Sequence, residues 1–236
     1  LELKATTCKA LIEKFEKVDL SSIDEDLNGR MFEVFLNAAV RGKDLGQFFT
    51  PRSVVDFMTR ISLRKVDFNN VPKILDGCCG TAGFLIETMA YMTGQIRNDN
   101  RLNKREREEK ISHICNDCLY GVEANKRTSR IARINMYLHG DGGSHIFHGD
   151  GLDENPQPTA DMKDEEQEEV KDYANKVKNE SFGLILSNPP FSMNYQRAKE
   201  EDKHIIEQFS FTAGQSSVKS SVLFLARYEK LLEPGG

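Results

Sequence analysis

The amino-acid sequence predicts an α/β fold, with a mostly parallel sheet and helices on both faces. The first observation is that short apolar strands alternate with amphipathic helices from residue 72 onward. The second is that acidic or proline-containing loops follow these strands, so polar side chains collect at one edge of the sheet. The length of 236 residues suits one such domain, or one domain with a small appendage.

The composition is that of a globular protein and excludes several classes. Hydrophobic residues make up 39% and charged residues 29%, at a mean hydropathy of -0.52. The sequence has no run of about 18 apolar residues and no apolar leader, so we expect no membrane partner and no secretion. The net charge of -5 argues against a strongly basic nucleic-acid binder, although it is compatible with a local basic face.

The cysteines predict a reducing compartment rather than a disulfide framework. The chain has five cysteines, an odd number, and Cys78 and Cys79 are adjacent. Adjacent cysteines seldom pair, so we expect a cytoplasmic location. Cys115 and Cys118 form a lone C-x-x-C without a second pair or a histidine partner nearby in the sequence, and we therefore expect no metal site.

The N-terminal part of the chain has a helical pattern, and the remainder has the α/β pattern. Residues 3–41 carry amphipathic helical periodicity, which predicts a helical domain at 1–45 and the α/β domain at 46–236. Thr50 and Pro51 predict the start of a further helix, with Thr50 as its N-cap. Both ends look cut, since there is no initiator Met and a strand should follow the last helix. We expect part of a longer protein whose C-terminal strands are missing.

Within the α/β part, periodicity predicts four strands, three helices and two charged insertions. The predicted strands are 73–76, 118–123, 144–148 and 182–187. The predicted helices are 84–92, 127–138 and 221–232. Residues 97–110 and 156–180 are highly charged and show no wide apolar face, so we expect solvated, partly mobile insertions. A contact with a partner or with DNA is the alternative, and arginines favour the first segment for it.

The strongest signal for function is a glycine-rich loop after the first predicted strand. Asp76 ends the strand, Gly77, Gly80 and Gly83 follow it, and Phe84 opens a helix. Such glycines let a ligand approach the backbone, outside the carboxyl end of the strand. The spacing is not that of a dinucleotide site, where an Asp would repel the pyrophosphate. The carboxylate instead suits a ligand with an amino group, such as an amino acid.

Two further acidic residues follow the second and third predicted strands. Glu123 ends the second strand, where a carboxylate can accept hydrogen bonds from ribose hydroxyls. Asp150 and Gly151 follow the third, where the carboxylate could accept from an adenine amino group. Asp-Gly is also an ordinary turn, and the assignment gains weight because all three acids fall on one edge of the sheet.

The loop after the fourth predicted strand offers acceptors for an exocyclic amine. It consists of Asn188, Pro189, Pro190 and Phe191, and its prolines enforce an extended, rigid backbone. Asn188 Oδ1 and the Pro189 carbonyl could together accept both hydrogens of an NH2 group. Phe191 could stack on the ring that carries this amine.

Taken in order, these motifs resemble S-adenosylmethionine-dependent amino-methyltransferases of the N6-adenine DNA group. More closely, they resemble the modification (M) subunit of type I restriction–modification systems, over about residues 24–236. The segment Gly46-Gln47-Phe48-Phe49-Thr50-Pro51 is similar to the family's segment that closes over the methionine part of the cofactor. The resemblance implies a Rossmann-like methyltransferase fold with S-adenosylmethionine as cofactor.

The resemblance also implies roles for individual residues. The cofactor-binding residues would be Phe49, Thr50, Pro51, Asp76, Gly80, Thr81, Gly83, Phe84, Glu123, Asp150 and Gly151. The catalytic residues would be Asn188, Pro189, Pro190 and Phe191. Two positions depart from the family pattern, because Gly77 stands where Pro is frequent and Ala82 where a second Gly is frequent. Neither change removes the carboxylate, so we expect cofactor binding to survive.

The function implied by the resemblance is methyl transfer to N6 of an adenine flipped out of double-stranded DNA. The implied partners are a specificity (S) subunit, a restriction and motor (R) subunit and a second copy of the M subunit. Two alternatives stay open: a methyltransferase acting on protein glutamine, and a cofactor-binding but catalytically silent assembly subunit. Phe191 and the segment preceding the fold argue against the first. A dinucleotide oxidoreductase fails on the loop spacing.

Overall fold

The chain divides into two units, Leu1–Leu45 and Gly46–Gly236. The structure, a computed structural model, describes residues 50–140 and 145–236, together with Thr6, Lys9, Ile12 and Glu13. The four described residues of the first unit are helical, and Lys9 and Glu13 form an i,i+4 ion pair at 3.8 Å. The other helical positions predicted within 3–41 lie outside the described residues.

The described part of the second unit contains six strands and seven α-helices. The strands are β1 (Ile74–Asp76), β2 (Leu119–Glu123), β3 (His145–His148), β4 (Leu184–Ile185), β5 (Asn194–Gln196) and β6 (Ser217–Lys219). The helices are α1 (Arg52–Ser62), α2 (Gly83–Arg97), α3 (Lys104–His113), α4 (Lys126–Leu138), α5 (Asp164–Lys176), α6 (Glu200–Glu207) and α7 (Ser220–Leu231). Among the described residues, no helix is long and apolar enough to cross a membrane.

Four strands form a parallel sheet in the order β3-β2-β1-β4, as the alternation of strands and helices predicts. The chain moves outward from β1 to β3 and then returns to the other side of β1 with β4. This order creates a topological switch point between β1 and β4, where open α/β sheets bind their ligands. Strands β5 and β6 form a separate antiparallel pair, and both lie between β4 and α7 in the order of the chain.

Helices cover both faces of this sheet, as predicted, and the strand residues alternate accordingly. Ile74, Leu119 and Ile146 form a buried cluster with side chains of α2 and α4. Tyr120 and Phe147, their neighbours along the strands, instead pack with side chains of α5 and α7. Because successive residues of a strand point to opposite faces, both faces of the sheet are buried, which is typical of parallel sheets.

The interpretation of residues 156–180 as a solvated insertion is wrong. Most of this segment forms α5, the crossover helix between β3 and β4. Tyr173 of α5 is only 1% exposed, and its ring stacks on Phe147 of β3 at a centroid distance of 5.7 Å. The apolar face of α5 is narrow, but one large aromatic side chain on it reaches the core. A count of apolar positions in the sequence underestimates how much such a side chain contributes to packing.

Residues 97–110 lie on the surface as expected, but they are ordered by a helix. Helix α3 has no buried residue, and Asn103 and Glu106 form a reciprocal capping box at its start.

The fourth strand is shorter than predicted, because β4 spans Leu184–Ile185 within the predicted 182–187. The Leu186 amide still donates to a β1 carbonyl at 2.9 Å, so the loop beyond β4 remains beside β1.

Two charged side chains occupy the outer edge of the sheet at β3. Arg133 Nε donates to the Ile146 carbonyl at 2.9 Å, and the His148 amide donates to Glu169 Oε1 at 2.9 Å. Arg133 and Glu169 also form an ion pair with each other. An edge strand presents backbone groups that invite association with another chain, and this pair satisfies two of them.

Candidate active site

The carboxyl ends of β1, β2 and β3 each present a shielded carboxylate at the predicted edge of the sheet. Asp76 is 1% exposed and Glu123 is 8% exposed. Loss of hydration raises the pKa of Asp76 to about 7 and raises the pKa values of Glu123 and Asp150 in the same direction. Because these three carboxylates are shielded from water, the site favours a ligand that brings positive charge or hydrogen-bond donors.

Glu123 shapes the glycine-rich loop directly. Its Oε2 accepts from the Gly80 amide at 3.0 Å, and its Oε1 accepts from the Asn125 amide at 2.8 Å. Gly80 has a φ of +55°, in the left-handed region that favours glycine. The residue predicted to bind ribose therefore also sets the path of the loop. Each of its oxygens retains a lone pair for a further donor.

The remainder of the loop contacts α4 and α7. The Thr81 carbonyl accepts from Asn135 Nδ2 at 2.8 Å, and both residues are buried. The ring of Tyr228 lies over Gly77, where a Cβ would fall 2.6 Å from Tyr228 Cε1. Ala82 is the N-cap of α2 with a left-handed φ of +71°. The contact with Tyr228 gives a physical reason for glycine at position 77. The left-handed φ of Ala82 gives a reason why the family resemblance predicts glycine at that position.

Asp150 is contacted by two tyrosines. Tyr195 Oη donates to Asp150 Oδ2 at 3.2 Å, and Tyr173 Oη donates to the Asp150 carbonyl at 2.8 Å. Tyr195 belongs to β5, so the antiparallel pair reaches the same edge of the sheet. Gly151 packs against the glycine-rich loop, because a Cβ there would lie 2.2 Å from the Gly77 carbonyl oxygen. The loops after β1 and β3 are thus in contact.

Asn188 contacts the residue that precedes Pro51 and α1. Its Nδ2 donates to Thr50 Oγ1 at 3.0 Å, and among the described residues no hydrogen bond reaches Asn188 Oδ1. The prediction that Thr50 caps α1 is wrong, because Pro51 occupies the N-cap position and no side chain caps the helix. The Thr50 hydroxyl is engaged by Asn188 instead.

The end of the Asn-Pro-Pro-Phe loop is anchored at Pro190 and exposed at Phe191. The Pro190 carbonyl accepts from Ser220 Oγ at the start of α7. Phe191 is 63% exposed, so its ring is available to a planar partner. Pro189, between Asn188 and this anchor, is partly buried. The loop is therefore held at both ends, which suits a rigid pair of acceptors.

The remaining predicted cofactor residues differ in their surroundings. Gly83 is the exposed first residue of α2. Phe84 is 4% exposed and packs in a small cluster with Val55 and Leu186, so it contributes to the core between α1, α2 and β4. Phe49 lies outside the described residues.

Two residues for which the sequence predicted no role connect β1 to the loop after β4. Ser187 Oγ donates to Asp76 Oδ1 at 2.7 Å, and Tyr228 Oη donates to Ser187 Oγ at 2.9 Å. Ser187 directly precedes Asn188, which was a usable signal. Tyr228 lies on α7 and carries no local signal, because only the packing of that helix brings it here.

The fold is that of Rossmann-like methyltransferases. The three acids follow consecutive strands of a parallel sheet, and the Asn-Pro-Pro-Phe loop follows the strand across the switch point. The model of the N-6 DNA methylase family matches residues 23–236. The chain belongs to this family.

Individual relatives agree with the family. The chain is 31% identical over 215 residues to the type II restriction enzyme and methyltransferase RM.BcgI of Heyndrickxia coagulans, covering 89% of this chain and 27% of that protein. It is 27% identical over 233 residues to the type I restriction enzyme EcoEI methylase subunit of Escherichia coli, covering 98% of this chain and 39% of the relative. The chain thus spans well under half the length of these relatives.

A solved structure supports the fold. The modification subunit of a putative type I restriction enzyme from Vibrio vulnificus YJ016 superposes with a TM-score of 0.65 at 23% identity. The superposition covers 97% of this chain and 40% of that one.

Proposed function

We propose that this chain forms the S-adenosylmethionine-dependent catalytic region of a DNA methyltransferase that modifies N6 of adenine. We further propose that it acts in the modification subunit of a type I restriction–modification complex. The single observation that supports the proposal most is the position of Asn188. Its amide nitrogen donates to Thr50, which leaves its Oδ1 as an acceptor beside the cofactor loop of β1.

S-adenosylmethionine fits the side chains at this edge of the sheet. Hydrogen bonds from the described residues to Asp76 go to Oδ1, which leaves Oδ2 for the amino group of the cofactor. Glu123 would accept from the ribose hydroxyls and Asp150 from the adenine amino group. The positive charge of the ligand suits three shielded carboxylates. When bound, the cofactor supplies an electrophilic methyl group on its sulfonium.

Asn188 and Pro189 would act on the target amine. The lone pair of an exocyclic N6 is delocalised into the purine ring, which makes the nitrogen a poor nucleophile. Acceptors on both N–H groups favour a pyramidal nitrogen and stabilise the positive charge as the N–C bond forms and the S–C bond breaks. The methylated nitrogen then carries the positive charge and releases one proton to water, so no strong base is needed before attack. Phe191 would stack on the flipped base.

The proposed partners are double-stranded DNA, a specificity subunit, a restriction and motor subunit and a second modification subunit. Methylase subunits of the type I enzymes EcoEI and MpnII are among the relatives. The net charge of -5 supports DNA binding through other subunits, because phosphate contacts dominate DNA affinity and the 37 acidic residues of this chain outnumber its 32 lysines and arginines.

The test measures N6-methyladenine in unmethylated genomic DNA after incubation with S-adenosylmethionine and the full-length protein in its complex. We expect Asn188→Ala to abolish product while cofactor affinity stays near that of the wild type. Asp76→Ala should weaken cofactor binding itself. Asn175→Ala, an exposed Asn on α5, is the matched control and should retain both. Methylation retained by Asn188→Ala, or methylated glutamine as the product, would contradict the proposal.

A further inference from the structure

Two hydroxyl groups form a continuous hydrogen-bonded chain that ends on the Asp76 carboxylate. Tyr228 Oη donates to Ser187 Oγ at 2.9 Å, and Ser187 Oγ donates to Asp76 Oδ1 at 2.7 Å. The Cys78 amide donates to the same oxygen at 3.1 Å. The chain joins three separate elements, namely α7, the loop after β4 and the end of β1.

Each member of this chain borders a part of the active site. Ser187 immediately precedes Asn188, the acceptor proposed for the target amine. Tyr228 covers Gly77, the first residue of the cofactor loop, with its ring. Asp76 and the loop that carries Asn188 are therefore joined by one hydrogen bond.

The direction of the hydrogen bonds favours the charged form of Asp76. A serine hydroxyl has one hydrogen, and here it goes to the carboxylate, so the Ser187 oxygen accepts from Tyr228. The bonds from Ser187 and Cys78 lower the pKa of Asp76 and so oppose its burial, which raises the pKa; burial prevails, and the resulting pKa is about 7.

The other groups that face Asp76 do not supply positive charge. Glu123 on β2 raises its pKa further, and the buried thiols of Cys78 and Cys79 and the phenol of Tyr228 have raised pKa values, so they are neutral near pH 7. Hydroxyl and amide donors are thus the groups among the described residues that stabilise the anion.

This inference rests on the proposed function. We propose that Ser187 and Tyr228 are positioning residues that keep Asp76 anionic for the cofactor's amino group. Through the same hydrogen bonds they transmit cofactor occupancy to Asn188. A purely apolar contact between α7 and the sheet would require neither hydroxyl. The ring of Tyr228 alone would suffice to cover Gly77.

The test is a calorimetric titration of the full-length protein with S-adenosylmethionine from about pH 5.5 to about pH 8.5. We expect Ser187→Ala to move the midpoint of the binding profile upward by about one pH unit and to weaken binding near pH 7 by about fivefold. Ser187→Thr keeps the hydroxyl and should restore the wild-type midpoint. Tyr228→Phe should shift the midpoint in the same direction by a smaller amount.

Two controls and a second readout separate this role from a structural one. Ser112→Ala and Tyr137→Phe remove exposed hydroxyls elsewhere and should leave the profile unchanged. In the full complex at saturating cofactor, Ser187→Ala should also lower kcat for methyl transfer. Circular dichroism confirms that each variant is folded, and Tyr228→Phe provides the test if Ser187→Ala does not fold.

The outcomes are distinguishable. A folded Ser187→Ala or Tyr228→Phe with an unchanged midpoint would overturn the inference while leaving the proposed function intact. A full-length wild-type protein that binds no S-adenosylmethionine at any pH would overturn both.

Discussion

The Gly80 amide donates a hydrogen bond of 3.0 Å to Glu123 Oε2, across 43 positions of sequence. The two groups belong to the ends of neighbouring strands, and neither has a local reason to meet the other. Because the same carboxylate accepts from Asn125 through its other oxygen, the proposed ligand contact and the loop conformation depend on one side chain. Substitutions at this position should therefore change binding and stability together.

We predict that Glu123→Gln weakens S-adenosylmethionine binding at least tenfold and lowers the free energy of unfolding by about 1–3 kcal/mol. The amide has one acceptor oxygen in place of two, so its NH2 group meets a backbone N–H donor. Calorimetric titration and urea unfolding measure the two effects. Glu109→Gln, an exposed acid on α3, should change neither. Equal affinity for the variant and the wild type would contradict the coupling.

The buried acids predict that unfolding free energy falls as pH rises from about 4 to about 7. Asp76 has a folded pKa of about 7 against an ordinary value of 3.8, so between these values the folded state binds more protons than the unfolded state. Unfolding therefore releases protons, and a rise in pH favours it. Asp76→Asn should reduce this slope in urea titrations at several pH values. Part of the pH dependence of the unfolding free energy should remain in this variant, because the pKa values of Glu123 and Asp150 are raised too.

A slope unchanged by Asp76→Asn would show that Asp76 does not titrate in this range. Asp164→Asn, at the exposed start of α5, is the matched control and should leave the slope as in the wild type.

Ala82→Gly should be tolerated far better than a typical alanine-to-glycine change in a helix. Ala82 has a φ of +71°, which costs an L-residue about 1–2 kcal/mol, whereas glycine adopts it freely. Loss of its buried methyl group offsets part of that gain. Ala90→Gly, at an exposed position inside α2, should lose about 1 kcal/mol. Thermal unfolding of the two variants compares them, and an Ala82→Gly loss larger than that of Ala90→Gly would contradict the prediction.

Glu169→Ala should destabilise the outer edge of the sheet. It removes the acceptor of the His148 amide and the ion-pair partner of Arg133, so we expect a loss of about 1–3 kcal/mol and increased self-association. Glu168→Ala removes a surface ion pair with Lys171 and should cost less than about 1 kcal/mol. Urea unfolding and light scattering provide the comparison. Equal unfolding free energy and equal self-association of the two variants would show that Glu169 does not protect the β3 edge.

Gly77→Ala should displace the Tyr228 ring and cost about 1–3 kcal/mol, because its Cβ would lie 2.6 Å from Tyr228 Cε1. Gly94 lies inside α2, where an added Cβ would meet no atom within 4 Å, so Gly94→Ala should stabilise the chain by about 1 kcal/mol. Chemical unfolding measures both variants. A neutral Gly77→Ala would mean that Tyr228 moves aside without loss.

Much of the fold was predictable because the signals for it are local. The parallel sheet and its helices follow from periodicity, and strand ends such as Asp76 and Glu123 are marked by a change from apolar to acidic residues. The prediction was wrong for residues 156–180, where one buried tyrosine outweighs many charges. It was also wrong for Thr50, whose hydroxyl meets a distant amide instead of capping a nearby helix.

The chemical groups at the ends of the strands, and with them the family and the proposed reaction, follow from the order of the residues alone. Side-chain chemistry and strand periodicity are properties of neighbouring residues, so they can be recognised in the sequence. Which of these groups contact one another depends on the tertiary structure. The path from Tyr228 through Ser187 to Asp76 exists because α7 packs on the sheet beside the switch point. Such contacts depend on the relative placement of whole elements, which no local pattern encodes.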